Sequence, residues 1–137
     1  MILVDTNVWS EQTKAEGHPA VLAWLEANDA DLALSALVIA EIHYGIALPE
    51  AAHKRLYLEA WLAGLEARYY GRIIDFDADA ARHYGQIAAH PEVKSRQPQI
   101  LDMQIAARAR ALGIPIATRN VRDFAWTGVR LIDPWEH

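Results

Sequence analysis

Cysteine is absent from all 137 residues. Its absence removes disulfides, thiol nucleophiles and thiolate metal sites together, and it suits a reducing cytoplasm. No apolar run is long enough to cross a bilayer. The N-terminus also lacks the basic segment and apolar stretch of a secretory signal, so a cytoplasmic location is expected. Only 7 glycines and 6 prolines occur, with no biased tract and no repeat, which excludes disordered and solenoid architectures. Glycine-rich phosphate loops are missing, as is the HExxH pattern of helical zinc sites, so ordinary nucleotide-cofactor folds and zincins lose support. Positive charge is scarce too: 13 basic residues face 18 acidic ones, for a net charge of -5. A protein that held nucleic acid by charge alone would be basic. If this chain handles phosphates, a divalent cation is the natural mediator.

What remains is an ordinary globular composition, 53% apolar and 23% charged, of a length that suits one domain over residues 1–137. Five short apolar runs, Ile2–Val4, Leu32–Leu34, Ile73–Phe76, Ile114–Ala117 and Val129–Ile132, predict strands. Their lack of alternation favours a sheet covered on both faces. Helical patterns lie between them. Pro19 suits a first helical turn, with Val21, Trp24 and Leu25 on one face. Ser35 is placed to cap a helix through Leu48. A stretch from Glu50 to Tyr69 aligns Leu58, Trp61, Leu62 and Leu65. Asp77 is expected to cap a helix that turns Ala81, Tyr84 and Ile87 inward. Leu101, Ile105 and Leu112 mark the next, stopped by Gly113. The segment from His90 to Pro98, with two prolines, is expected to be irregular. Strands alternating with helices predict a three-layer α/β/α domain around a mainly parallel sheet of about five strands.

Ligands of such sheets bind beyond the carboxyl ends of the strands. Asp5 follows the first strand, and Glu41 lies among Ile39, Ala40 and Ile42 in the helix after the second. Asp102 sits in the first turn of the helix leading to the fourth strand, and Asp123 lies just beyond that strand. Each has a structural reading as a cap or a helix-dipole partner. Independent caps, however, have no reason to meet at one sheet edge. Carboxylates gathered there repel unless a cation or a proton offsets them. Hard oxygen ligands suit Mg²⁺ or Mn²⁺, and the chemistry that follows is metal-assisted hydrolysis of a phosphodiester.

The stretches MILVDTNVWSE, LSALVIAEIHYGIA and ILDMQIAARARALGIPIATRNVRDF and the closing DPW resemble the PIN-domain ribonucleases. More narrowly, they are similar to the VapC-type toxins of bacterial toxin–antitoxin pairs, including the FitB-like branch. The resemblance covers the whole chain in order and spacing. It implies a compact α/β/α fold and a Mg²⁺- or Mn²⁺-dependent endoribonuclease whose site acids are Asp5, Glu41 and Asp102. Thr6 or Asn7 would support Asp5, while Ser35 or Thr118 would position water or phosphate. It also implies a homodimer silenced by a VapB- or FitA-like antitoxin, with operator DNA bound only through that antitoxin. Some members carry an acid directly after Thr-Arg, where this chain has Asn120. Either Asn120 or Asp123 then completes the site.

Arg119 lies nearest the predicted cleft and is a candidate contact for RNA phosphate. Arg108 and Arg110 read as solvated, and the 6 histidines are scattered without ligand spacing. Tyr57 and Tyr69 are candidates for a dimer or antitoxin surface. A strand-end aspartate also begins aspartyl-phosphate phosphotransferases, but their second acid would fall where Asn7 stands. The other alternative is a catalytically inactive PIN-like binding or assembly module. The joint presence of Asp5, Glu41 and Asp102 argues against it.

Overall fold

The structure is a computed structural model that describes residues 1–136, so His137, the last residue of the expected domain, lies outside the described residues. Five strands form, β1 (Ile2–Val4), β2 (Leu32–Ser35), β3 (Ile73–Ile74), β4 (Ile116–Ala117) and β5 (Leu131–Ile132). Between them run α1 (Thr6–Trp9), α2 (Pro19–Ala27), α3 (Ala36–Ala47), α4 (Arg55–Arg68), α5 (Ala78–Ala88), α6 (Glu92–Arg96), α7 (Ile100–Leu112) and α8 (Val121–Phe124).

The strands pair in the order β3-β2-β1-β4-β5, all parallel. The class expected from the apolar runs is therefore the one that forms. β2 is buried along its whole length, as a strand covered on both faces must be. The order reverses beside β1, since its successor β2 lies on one side and β4 on the other. Just beyond the ends of these two strands, the Asp5 N–H donates to the Ala117 carbonyl at 2.9 Å. Asp5 thus leaves the sheet at its topological switch point, where the crevice of an open α/β sheet opens.

Local chemistry sets most boundaries. Pro19 opens α2, and the Ser35 Oγ accepts from the Leu37 N–H at 3.1 Å to cap α3. Gly113 ends α7 with φ 68°, a conformation that costs a side chain but not glycine. Small buried residues, Ala106, Ala107 and Ala109, let α7 pack closely against α5, with Met103 and Ile105 beside them.

Several expectations need correction. The run Glu50–Tyr69 is not one helix. Residues Pro49–Lys54 form a tighter 3₁₀ segment, and α4 starts at Arg55. There the Arg55 guanidinium turns back to the carbonyls of Ile46 and Leu48, at 2.9 and 3.0 Å, sealing the end of α3. Residues 90–98 are not wholly irregular, because α6 forms between the two prolines. On α5 it is Ala80 rather than Ala81 that is buried, and Leu112 lies at the exposed end of α7. Tyr69 is no surface anchor. It is buried against Trp9, with ring centroids 5.1 Å apart, and its hydroxyl donates to Asp29. Arg108 is not solvated either. Its side chain, 12% exposed, reaches Asp77 at 3.4 Å across the α5–α7 seam.

Asp77 consequently has two tasks, capping α5 through the Ala80 N–H at 2.9 Å and pairing with Arg108. Asp77→Ala is expected to destabilise the fold by about 1 kcal/mol, the usual cost of a lost N-cap. Urea titration should show a lower midpoint at an unchanged slope. An unchanged midpoint would remove both tasks.

Candidate active site at the sheet edge

Asp5 is 4% exposed and thoroughly held. Its Oδ1 accepts from the Thr6 N–H at 2.8 Å, which starts α1. Its Oδ2 accepts the Thr118 hydroxyl at 2.8 Å and the Asn7 amide at 3.3 Å. Thr118 in turn accepts the Asn120 N–H at 3.0 Å, and the Asn7 Oδ1 accepts the Arg119 N–H at 3.2 Å. The turn after β4 is thereby tied to the turn after β1, and the carboxylate has one orientation. Burial pushes the Asp5 carboxyl above the usual carboxylate range. The hydrogen bonds from Thr118 and Thr6 pull it down, and the charges of Glu41 and Asp123 push it up again.

Those last two charges locate the other acids. Asp102, half-buried in the first turn of α7, has its carboxyl pushed from the ordinary 3.8 up to about 6. Burial is the main cause, followed by the charges of Asp5, Glu41 and Asp123. A helix N-terminus would lower an acid's pKa, so burial and repulsion outweigh it here. The acids from α3, α7 and α8 therefore all face the end of β1. They share one electrostatic field without forming a tight ligand cage. Among the described residues, no three Asp, Glu or His side chains approach closely enough to hold one ion directly. Mutual repulsion opposes closer approach.

This arrangement makes the metal-free protein sensitive to pH. A carboxyl whose folded pKa lies above its unfolded value holds its proton longer in the native state. The folded form is thus favoured below about pH 4, and that advantage is lost as pH rises towards 6. Asp102→Asn should abolish most of this dependence. At neutral pH in EDTA it should raise stability by about 1 kcal/mol, allowing for solvent screening, or about 3–5 °C in melting temperature. A lower melting temperature at every pH would contradict the repulsion.

Two clefts flank the acids. One, of about 230 Å³, has Asp102 and Asp123 in its wall. The other, of about 290 Å³, runs past Thr6, Glu41, Lys54 and Trp61. Thr6 Oγ1 is buried at this second cleft with no hydrogen-bond partner, a polar atom placed where a bound ligand or water could engage it.

Comparison with known proteins is decisive at this point. The PIN domain profile matches residues 2–127. The chain belongs to the PIN-domain family. It is 39% identical to the VapC ribonuclease Y4jK of Sinorhizobium fredii over 99% of both chains. With the toxin FitB of Neisseria gonorrhoeae it shares 34% identity, over 98% of this chain and 99% of FitB. The crystal structure of FitAcB from the same bacterium superimposes with a TM-score of 0.87 at 33% identity, covering 100% of both chains.

Within this PIN fold the remaining candidates have definite places. Ser35 is buried as the cap of α3. Asn120 stands exposed at the start of α8, tied to Thr118 through its backbone, whereas Asp123 lines the smaller cleft and bears on Asp5 and Asp102. The Arg119 guanidinium stacks on the Trp135 ring, 5.0 Å from its centroid. Sequence reasoning did not single out Gln97, Gln99, Trp126 or Lys54, all of which line the two clefts. Nor did it find Glu11, 4% exposed, whose carboxylate pairs with Lys14 at 2.5 Å and accepts the His18 N–H at 3.0 Å. Burial of acidic residue 11 carries no signal in the sequence, because its partners lie in a turn rather than a regular element.

Proposed function

We propose that this PIN domain, acting as a single domain over residues 1–137, is a divalent-metal-dependent endoribonuclease toxin of a toxin–antitoxin pair. The observation that carries the reading is the meeting of Asp5, Glu41, Asp102 and Asp123 at the switch point, where burial first and the charges of the other three acids second raise the Asp102 carboxyl to about 6. Such a field needs a cation, and the donors are all hard oxygens. With no three of these side chains close enough to hold one ion together, the ion would be held directly by one or two carboxylates and by the others through water, as Mg²⁺ is usually bound. Asp5 and Asp102 are the direct holders and Glu41 the third. Asp123 is the fourth acid in preference to Asn120, because its charge reaches the other carboxylates. Mg²⁺ or Mn²⁺, when bound, supplies Lewis acidity towards the phosphodiester and a lowered pKa for the attacking water.

The chain's own residues supply the rest. Thr118, Asn7 and the Thr6 N–H fix the Asp5 carboxylate. The unpartnered Thr6 hydroxyl offers a further polar contact beside Glu41. Arg119 stacks on Trp135 and lines neither cleft, so its proposed contact with an RNA phosphate lies outside them. The VapC and FitB likenesses favour RNA as substrate and a FitA- or VapB-like antitoxin as partner; operator DNA reached through that antitoxin, a homodimer and a cytoplasmic location belong to the same proposal.

The test is direct. Purified, antitoxin-free protein should cleave single-stranded RNA with Mg²⁺ or Mn²⁺ and stop in EDTA. Cleavage undiminished in EDTA would remove the metal from the reading. Absence of cleavage with either ion across varied RNAs would leave the binding module in its place.

A further inference from the structure

The cleft of about 230 Å³ beside Asp102 and Asp123 is lined on its other side by Arg96, Gln97, Gln99 and Trp126. Taking the acids as an RNA-cleaving site, as proposed above, we infer that this cleft is a recognition subsite for one unstacked nucleobase next to the cut, selecting adenine, guanine or cytosine over uracil.

Three features of the lining support this. Arg96 is already committed. Its Nε donates to Glu92 at 2.6 Å and its Nη1 to the Arg122 carbonyl at 3.3 Å. With that charge compensated and two carboxylates opposite, the cleft repels a phosphate but accepts a neutral base edge. Asp123, which is not a direct holder of the ion, keeps a carboxylate oxygen to accept a hydrogen bond from an exocyclic amino group, which uracil lacks. Gln97 and Gln99 add amides, each with both donors and an acceptor, the pairing chemistry of a base edge.

Trp126 supplies the plane. Its Nε1 donates to the Asp123 carbonyl at 2.9 Å, so the ring is anchored to the backbone that carries a site acid. His90 packs on it with centroids 5.5 Å apart. A half-buried indole fixed in this way is a stacking platform for an unpaired base.

Gln97 is the third feature. With φ 47° and ψ 56° it is left-handed, and among the described residues it is the one non-glycine with positive φ. Glycine would hold this helix-ending conformation at lower cost. Such outliers are informative at functional sites, and here the strained residue places an amide in the wall of the cleft.

Sequencing of the RNA ends produced by the purified protein with Mg²⁺ should show an amino-bearing base at one fixed position beside the cut. Gln97→Gly, Gln99→Ala and Trp126→Ala should each flatten that preference. They should raise KM roughly tenfold or more, the size of a lost base contact, with kcat much less affected. Gln97→Gly should melt no lower than the parent, which separates lost recognition from lost folding. Trp126→Phe should restore most of the KM. In an Asp5→Asn background, single-stranded RNA oligonucleotides of mixed sequence should quench tryptophan fluorescence. The quench should shrink markedly in Trp126→Phe although the other 4 of the 5 tryptophans remain. Variants with unchanged preference and KM, in a protein that cleaves and is disabled by Asp5→Asn, would overturn the subsite and leave the nuclease standing. If the parent does not cleave, the fluorescence decides: a quench undiminished in Trp126→Phe, or none at all, also overturns it.

Discussion

Asp5→Asn should yield a folded protein that cuts RNA roughly 10²- to 10⁴-fold more slowly than the parent. The substitution keeps the acceptor that caps α1 through the Thr6 N–H, and keeps the volume of a residue 4% exposed. It removes the charge. The nitrogen that replaces Oδ2 faces the Thr118 hydroxyl, which can turn its proton away, and gives up only the long Asn7 contact of 3.3 Å. Folding therefore survives, and the metal-free protein should melt no lower, since one of four mutually repelling carboxylates has gone. Activity does not survive, because this carboxylate is the one whose orientation is completely specified. Thr118→Val provides the graded comparison. It leaves the charge but deletes a donor at 2.8 Å, so Asp5 should titrate still higher and the acid limb of the pH–rate profile should move towards neutrality. Full activity in Asp5→Asn would end the nuclease reading. An unmoved profile in Thr118→Val would deny Thr118 its positioning role.

The parts legible in the sequence and the parts that were not divide along a physical line. Apolar runs without alternation reveal a doubly covered parallel sheet, and strand-end polarity reveals Asp5, because both depend on neighbours in the chain. Ser35, Asp77 and Gly113 are legible for the same reason: capping is a local event. The burial of Tyr69 and of Arg108 depends on residues 40 and 31 positions away, Asp29 and Asp77, and a helical pattern cannot report that. The break at residues 49–54 depends on Arg55 reaching back across the turn, which propensity does not record. In the site, topology led to the expectation that Asp5, Glu41, Asp102 and Asp123 share one sheet edge, and the charges of Glu41 and Asp123 do bear on Asp5 and Asp102. How closely they approach was not legible, since it depends on tertiary packing that spacing along the chain does not report. Gln97 and Trp126 left no trace: an amide in a left-handed turn and an indole held by a backbone carbonyl have meaning only beside the cleft they line.

Expression of the chain alone should arrest growth of a bacterial host, and coexpression of its antitoxin should relieve the arrest through a physical complex. The electrostatics give this partner a definite mode of attack. A site in which burial, and then the charges of three other acids, raise Asp102 to about 6 gains from any cation that enters. An arginine from the antitoxin would supply one, together with directed hydrogen bonds to carboxylates. The arginine and the metal then compete for the same field. Raising Mg²⁺ should weaken the complex of the parent toxin. Asp102→Asn should dissociate from the antitoxin roughly tenfold faster or more, the cost of leaving a buried cation without its counter-charge. It should also be nearly indifferent to Mg²⁺. The measurement is dissociation of the purified pair across a Mg²⁺ series, beside growth curves of the same variants. Relief of arrest without a complex would exclude direct inhibition. A complex indifferent both to Mg²⁺ and to Asp102→Asn would move the antitoxin's grip away from the acids and leave the site blocked by bulk alone.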